Sequence, residues 1–250
     1  MRVRIVTAGR IKEWSKVHPE ITAQLLRWLA VMEHLTDCRS FNDLREVFNS
    51  VDRVITKRAN AVCVFNLGHG KRAYRLIAAI HFNTQTVFVL RLLTHAEIRQ
   101  ARMEKRIMKR SETKLPETAP ESFEQLCGIL LPRPVHDEAE NREMIRVMDW
   151  IAVRAHNQDQ FDYAKMLGSL VTEYEVSQKR RTKPQLAGLE LLKAVTEFSG
   201  MTQAELAKVL DIEQGTVSKI MSGARSITLD HAKRVARRFK MRPEAFLDLD

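Results

Sequence analysis

Long apolar runs are missing from this 250-residue chain, and with them any stretch of ~20 residues able to cross a bilayer as a helix. The start, MRVRIVTAGRIKEW, is basic but holds no apolar stretch followed by a small-residue cleavage site, so no secretory signal is expected. Cysteine is scarce. Cys38, Cys63 and Cys127 lie far apart, odd in number and without a CxxC pair, which argues for a reducing, cytoplasmic setting. Metal-ligand spacings such as HExxH are absent, so the expectation is no metal and no other cofactor. Aromatics make up only 6% of the residues. The first 107 lack the aromatic pairs on which single-stranded bases stack, which argues against a plain RNA-binding adaptor. No repeat recurs at solenoid periods.

Positive charge is what the chain has in excess. Lys and Arg number 41 against 31 Asp and Glu, a formal net charge of +10. Such an excess points to a polyanionic partner, most often nucleic acid. The charge is uneven: residues 1–110 hold 21 basic and 9 acidic side chains, residues 111–250 hold 20 and 22. A basic half joined to a slightly acidic one fits two functions, or one half covering the other.

Composition divides the chain further. Residues 108–122 are polar, contain two prolines and show no apolar period, so they are expected to form a linker. A second joint at residues 177–184 is basic and closed by Pro184. The expected domains are 1–107, the linker 108–122, a helical region 123–184 and a helical domain 185–250. In the first, Thr7 is expected to cap a short helix through Lys16. Pro19 opens a longer one carrying Ile21, Leu25, Leu29 and Met32 at helical spacing, and Ser40 caps a third. The period then switches to 2 over Val51–Lys57, Ala61–Asn66, Ala73–His81 and Thr86–Leu92, joined by turns short enough for hairpins. This predicts an antiparallel meander, with no parallel sheet. Thr94-His-Ala-Glu97 is a capping-box sequence opening a basic helix. Asp137–Arg154 and Phe161–Val176 are predicted as two amphipathic helices. The fold class is α+β.

The sharpest motif lies near the C-terminus. Thr202 caps a helix whose Leu206, Ala207 and Leu210 form a buried face, and Asp211-Ile212-Glu213 turns the chain. Gln214–Met221 follows, held by Val217 and Ile220, and Gly223 ends it. A helix presented in this way enters the major groove of DNA. Thr-Gln-x-x-Leu-Ala, Thr-Val-Ser-Lys-Ile and Ser-Gly, in this order, resemble the Cro/CI/Xre helix-turn-helix family from about Leu191 to Leu247. The resemblance implies that Gln214, Gly215 and Ser218 face bases, while Gln203, Thr216, Lys219 and Arg225 contact phosphates. Gly215 departs from the family's usual small hydroxyl residue. Such modules act as dimers on paired half-sites.

In the first domain, Phe65-Asn-Leu-Gly68, Tyr74-Arg-Leu-Ile77 and Thr94-His-Ala-Glu97 occur together and resemble HigB-type toxins. These are RelE-like endoribonucleases that cut mRNA on the ribosome. The middle region resembles the N-terminal half of a HigA-type antitoxin, a family that ends in the same helix-turn-helix. The resemblance implies toxin and antitoxin in one polypeptide: a small antiparallel RelE-like sheet with helices, then an all-α antitoxin. The implied partners are mRNA on the ribosome, operator DNA at its own promoter, an intramolecular toxin–antitoxin contact and a second copy through the antitoxin half. No membrane partner is implied.

The residues supply the chemistry such a nuclease needs. Metal-independent RNA cleavage removes a proton from the 2′-hydroxyl, stabilises the phosphorane charge and protonates the leaving 5′-oxygen. Arg75 and His81 share a parity on one strand, Arg91 lies on the next, His95 starts the closing helix, and Lys71 and Arg72 occupy the hairpin. Arg75 and Arg91 are expected to stabilise the phosphate and transition state. His95 is expected to move protons with help from Lys71, and Arg72 and His81 to bind RNA. Ile98-Arg99 stands where the family usually has Tyr-Asp. That departure favours a second reading, a DNA-binding transcriptional regulator whose N-terminal module is an inactive toxin-like one.

Overall fold

The computed structural model describes residues 3–55, 61–68, 74–94, 97, 115–178 and 186–247. In chain order these form β1 (Arg4–Val6), α1 (Gly9–Val17), a 3-10 turn (Pro19–Ile21), α2 (Thr22–His34) and α3 (Phe41–Val47). Four strands follow: β2 (Asp52–Ile55), β3 (Ala61–Leu67), β4 (Tyr74–His81) and β5 (Thr86–Thr94). The rest is helical: α4 (Phe123–Cys127), α5 (Glu138–Ala152), α6 (Gln158–Ser177), α7 (Gly188–Ser199), α8 (Gln203–Leu210), α9 (Gln214–Met221), α10 (Leu229–Phe239) and a 3-10 turn (Pro243–Phe246). The architecture is α+β, as the sequence pattern predicts. None of the described helices is long and apolar enough to cross a membrane.

The sheet runs β1-β5-β4-β3-β2. Strands β2 to β5 form the expected antiparallel meander. The expectation of no parallel pairing is corrected: β1 lies parallel to β5, with Ile5 opposite Val87. Thr7 is corrected too. It adopts a left-handed φ of 61°, and its hydroxyl donates to the Val89 carbonyl (3.0 Å) instead of capping α1, whose N-cap is Ala8. Ser40 does cap α3, in a reciprocal box with Asp43.

One face of the sheet, through Leu76, Ala78, Val87 and Val89, packs on Ile11, Leu25, Trp28 and Leu29 of α1 and α2. The same core continues without a break into the C-terminal helices, taking in Leu191, Val195, Val235, Phe239 and Phe246. Phe48 joins the two, its ring 5.1 Å from both Phe65 and Phe198. Main-chain bonds stitch the junction: Asn49 N–H donates to the Phe198 carbonyl (3.0 Å) and Thr36 N–H to the Lys240 carbonyl (2.6 Å). Cys38 and Cys63 are buried and unpaired, burial pushing both thiols up to about 12.

Among the described residues the other face contributes Val6, Ala79 and Phe88, with Leu90 partly buried beside them, to a second core built mostly by α5 and α6. α6 crosses β1 closely at Gly168, where a Cβ would stand 2.7 Å from Val6 Cγ1. Residues 115–122, expected to be linker, instead pack on this helical pair. The Trp150 indole N–H donates to the Pro116 carbonyl (3.2 Å), the Gln160 amide to that of Pro120 (3.0 Å), and Leu115 and Ala119 rest on the second core.

Candidate nuclease face and DNA-reading helix

Strand parity alone sends Arg91 to the wrong side. On β4, Tyr74, Leu76 and Ala78 face α1 and α2, leaving Arg75, Ile77 and Ala79 on the opposite face. On β5, Val87 and Val89 also face α1 and α2, so strict alternation would place Arg91 with them. The register jumps, however, from Ala78↔Val89 to Ile77↔Arg91, leaving Leu90 as an extra residue. This β-bulge returns Leu92 to the α2 side and turns Arg91 onto the face that carries Arg75, the kind of re-aiming that bulges perform near functional sites. Arg75 pairs with Leu93, so the two arginines are diagonal neighbours, with Cβ atoms roughly 7–8 Å apart. Arg75 is half-buried and Arg91 exposed. Neither makes a side-chain hydrogen bond or ion pair among the described residues.

Lys71, Arg72 and His95 lie outside the described residues. The predicted capping box does form between Thr94 and Glu97. Thr94 N–H donates to Glu97 (2.7 Å), and Glu97 N–H donates to the Thr94 hydroxyl (3.2 Å). The Thr94 N–H and the Thr94 hydroxyl (2.8 Å), both donating to its carboxylate, hold the Glu97 carboxyl below the usual range. On the α2 side of the same strand end, the Tyr74 hydroxyl donates to Glu20 and lies 3.1 Å from His18 Nδ1. That bond lowers the pKa of Glu20 and raises that of Tyr74. Sequence reasoning missed this cluster because its members come from separate elements.

His81 shares the arginines' face but stands six residues from Arg75, about 20 Å along the strand. Expected to touch RNA, it lies instead beneath the end of α5. Its Nε2–H donates to the Ala152 carbonyl (2.8 Å), and its ring meets Phe88 and Phe161 edge-on. Burial lowers its pKa, so the neutral ring is favoured.

Three further polar contacts fasten the α5–α6 pair to this face. Arg4 donates to Ser169 (2.8 Å), Gly9 N–H donates to Glu175 (3.2 Å), and Arg10 grips Asp149 through two bonds of 2.9 and 3.2 Å. Arg10 also donates to the Val89 and Leu90 carbonyls (2.7 and 2.8 Å), at the bulge itself. Burial raises the Asp149 carboxyl above its usual value, although Arg10 and, less, Arg91 pull it down. Arg10 was not anticipated. Nothing in its local sequence distinguishes it from a solvent-facing arginine of a short helix.

The second candidate surface follows its motif closely. Thr202 and Glu205 form a capping box at α8, Asp211 makes the turn in the left-handed region (φ 56°), and α9 covers Gln214–Met221. Val217 and Ile220 are buried, while Gln203, Gln214, Gly215, Ser218, Lys219 and Arg225 are exposed and Thr216 is half-buried. A Cβ at Gly215 would meet nothing within 4 Å. Arg234 ties the turn to the next helix, donating to Asp211 (2.8 Å) and Asp230 (2.9 Å). The helix-turn-helix thus turns its back on α2 and α3 and leaves α9 open to solvent.

Comparison with known proteins follows this division. Residues 21–99 match the family model of the HigB toxin, the RelE-like toxic component of a toxin-antitoxin system. Residues 199–246 match a helix-turn-helix family model. Over 61 residues the chain is 33% identical to antitoxin HigA of Escherichia coli strain K12, and to that of Shigella flexneri. The matched stretch is 24% of this chain and 43% of each antitoxin, so the chain spans less than half the length of these curated relatives.

Proposed function

We propose that this toxin–antitoxin module, a HigB-like segment joined to a HigA-like helix-turn-helix segment in one chain, is a latent ribonuclease and an operator-binding repressor at once. The observation that carries the reading is the bulge-built face. Two arginines that make no side-chain hydrogen bond or ion pair among the described residues share one side of the sheet with a helical pair pinned across it. Two guanidinium groups can hold a scissile phosphate and spread the charge of the phosphorane. Cleavage then proceeds by metal-independent attack of the 2′-hydroxyl on mRNA at the ribosome, with His95 moving the proton and Lys71 and Arg72 steadying the backbone. In this reading residues 1–107 are the nuclease, residues 123–184 with the packed 115–122 are the neutralising part, and residues 185–250 bind DNA as a homodimer. Tethering keeps the neutralising helices at an effective concentration of about the mM range, so the intact chain is silent. Gln214, Gly215 and Ser218 read bases, while Gln203, Thr216, Lys219 and Arg225 hold phosphates.

The test keeps the shared core intact. Residues 115–178 are replaced by a flexible linker, leaving α7 to α10 to complete the packing on α1 to α3. Growth arrest and mRNA cuts on translating ribosomes are expected from this variant, not from the full chain, and Arg75→Ala should abolish both. A soluble, folded variant without cleavage would falsify the nuclease. The second reading, a transcriptional regulator with an inactive toxin-like module, would then stand, favoured by Ile98-Arg99 and by the open α9.

A further inference from the structure

We propose that Arg10 is a phosphate-binding residue of the nuclease face, and that the Asp149 carboxylate occupies in the closed chain the place of an RNA phosphate. The proposal rests on the ribonuclease reading above and extends it to a residue outside the strands. Arg10 is held without help from Asp149. The Val89 and Leu90 carbonyls stand at the bulge, and the two N–H groups of Arg10 Nη1 are shared among both of them (2.7 and 2.8 Å) and Asp149 Oδ1, while Val89 also accepts from the Thr7 hydroxyl. What remains is the outward edge of a fixed, planar fork. That edge holds Asp149 through Nη2 to Oδ2 (2.9 Å) and Nη1 to Oδ1 (3.2 Å), a two-pronged geometry that suits carboxylate and phosphate equally.

The carboxylate is not a simple surface partner. Asp149 stands between the buried Met148 and Trp150 on α5, its side chain 27% exposed and that of Arg10 15%. Arg91 pulls on the same carboxylate from the nuclease face. Arg10, from α1, holds the anion directly; Arg91, from the bulge of β5, adds attraction without a bond to it, and Arg75 lies on the same face. A cleft of about 370 Å³ opens beside the pair, lined by Arg10, Arg142 and Arg146 and also by the carboxylates of Glu13, Glu138 and Glu175. A small anion can reach the position through it while α5 stays in place.

Anion rescue of the full-length chain tests this. Asp149→Ala leaves the outward edge of the Arg10 fork vacant. The melting midpoint is followed in inorganic phosphate and in chloride of equal ionic strength. Phosphate should leave the wild-type midpoint unmoved and raise that of Asp149→Ala by about 2–4 °C or more, the shift that 1 kcal/mol gives a chain of this size. Adding Arg91→Ala, which leaves the carbonyls at the bulge untouched, should remove part of the rise, and adding Arg10→Gln all of it. An equal phosphate response in wild type and Asp149→Ala overturns the proposal, as does a rise that survives both arginine substitutions. Asp149 would then be only a tie for α5. Adenosine 3′-monophosphate distinguishes the source. A rise at least equal to that in phosphate supports an RNA phosphate, and none overturns that assignment in favour of a free anion. Cleavage is not read, so an inactive nuclease leaves these outcomes intact.

Discussion

The sheet has two neighbours, and they are attached in different ways. The helix-turn-helix merges with α1 to α3 into one apolar core, with Phe48 touching rings on both sides and main-chain bonds across the junction. The α5–α6 pair brings its own core and meets the sheet through Val6, Ala79 and Phe88, helped by polar pins at Arg4, Gly9, Arg10 and His81. A merged core separates only by unfolding. A small apolar contact ringed with polar bonds can open as a local event, far below the free energy of global unfolding. The helix-turn-helix is thus built in as a fixed part of the toxin-like half, and the helical pair is attached to the sheet as a separately packed layer.

The largest effect should come from the merged core. Phe239→Ala removes a fully buried ring and should cost about 3–5 kcal/mol. Hydrogen exchange should then quicken in β3 and β4 as well as in α10. Loss confined to α10 would show two separable domains. Next in size is the cover. Gly168→Ala drives a methyl against Val6 and should cost about 1–3 kcal/mol, with exchange rising in α5 and α6 while α7 to α10 stay protected.

Acid should loosen the cover before the junction. His81 has a folded-state pKa below the ordinary value of about 6.5, because burial disfavours its charged form. The opened state binds the proton more readily, so docking is at full strength above about pH 6.5 and weakens as the pH falls toward the folded pKa. Below that pKa the loss from this group levels off. Comparing α5–α6 exchange at pH 7.5 and 5 should show this trend in the wild type and a reduced one in His81→Gln. The smallest effect belongs to the half-exposed ion pair Arg27–Glu197 at the merged junction (2.8 Å). Arg27→Ala should cost no more than about 0.2–1 kcal/mol by chemical denaturation, and a larger loss would mean the junction depends on charge more than on its apolar core.

How much was legible in the sequence depended on how local each signal is. α8 and α9 emerge where their caps and apolar spacing agree, because Thr202, Glu205, Asp211 and Gly223 act within a few residues of themselves. β1 did not emerge: three residues cannot show a period, and the partner β5 lies some 80 positions away. Thr7 looked like a cap because the sequence does not reveal the Val89 carbonyl waiting for its hydroxyl. At the candidate site, Arg75 and Arg91 were visible as cations beside a recognisable motif. The bulge that unites them was hidden, since Leu90, Leu92 and Leu93 give an apolar run with no readable parity. His81 and Arg10 exchanged importance for the same reason, because both are defined by contacts with α5, which is distant in the chain.

The merged core also sets a schedule. A ribosome completes β5 at Thr94, yet Phe239 and Phe246, which fill the space beside α1 to α3, are added roughly 150 residues later, about 8–30 s at ordinary elongation rates. Throughout that interval the toxin-like half lacks part of its interior. By the time its interior can close, α5 and α6 have already been synthesised. The order of manufacture therefore delivers the helices that cover the sheet before the core beneath the sheet can close.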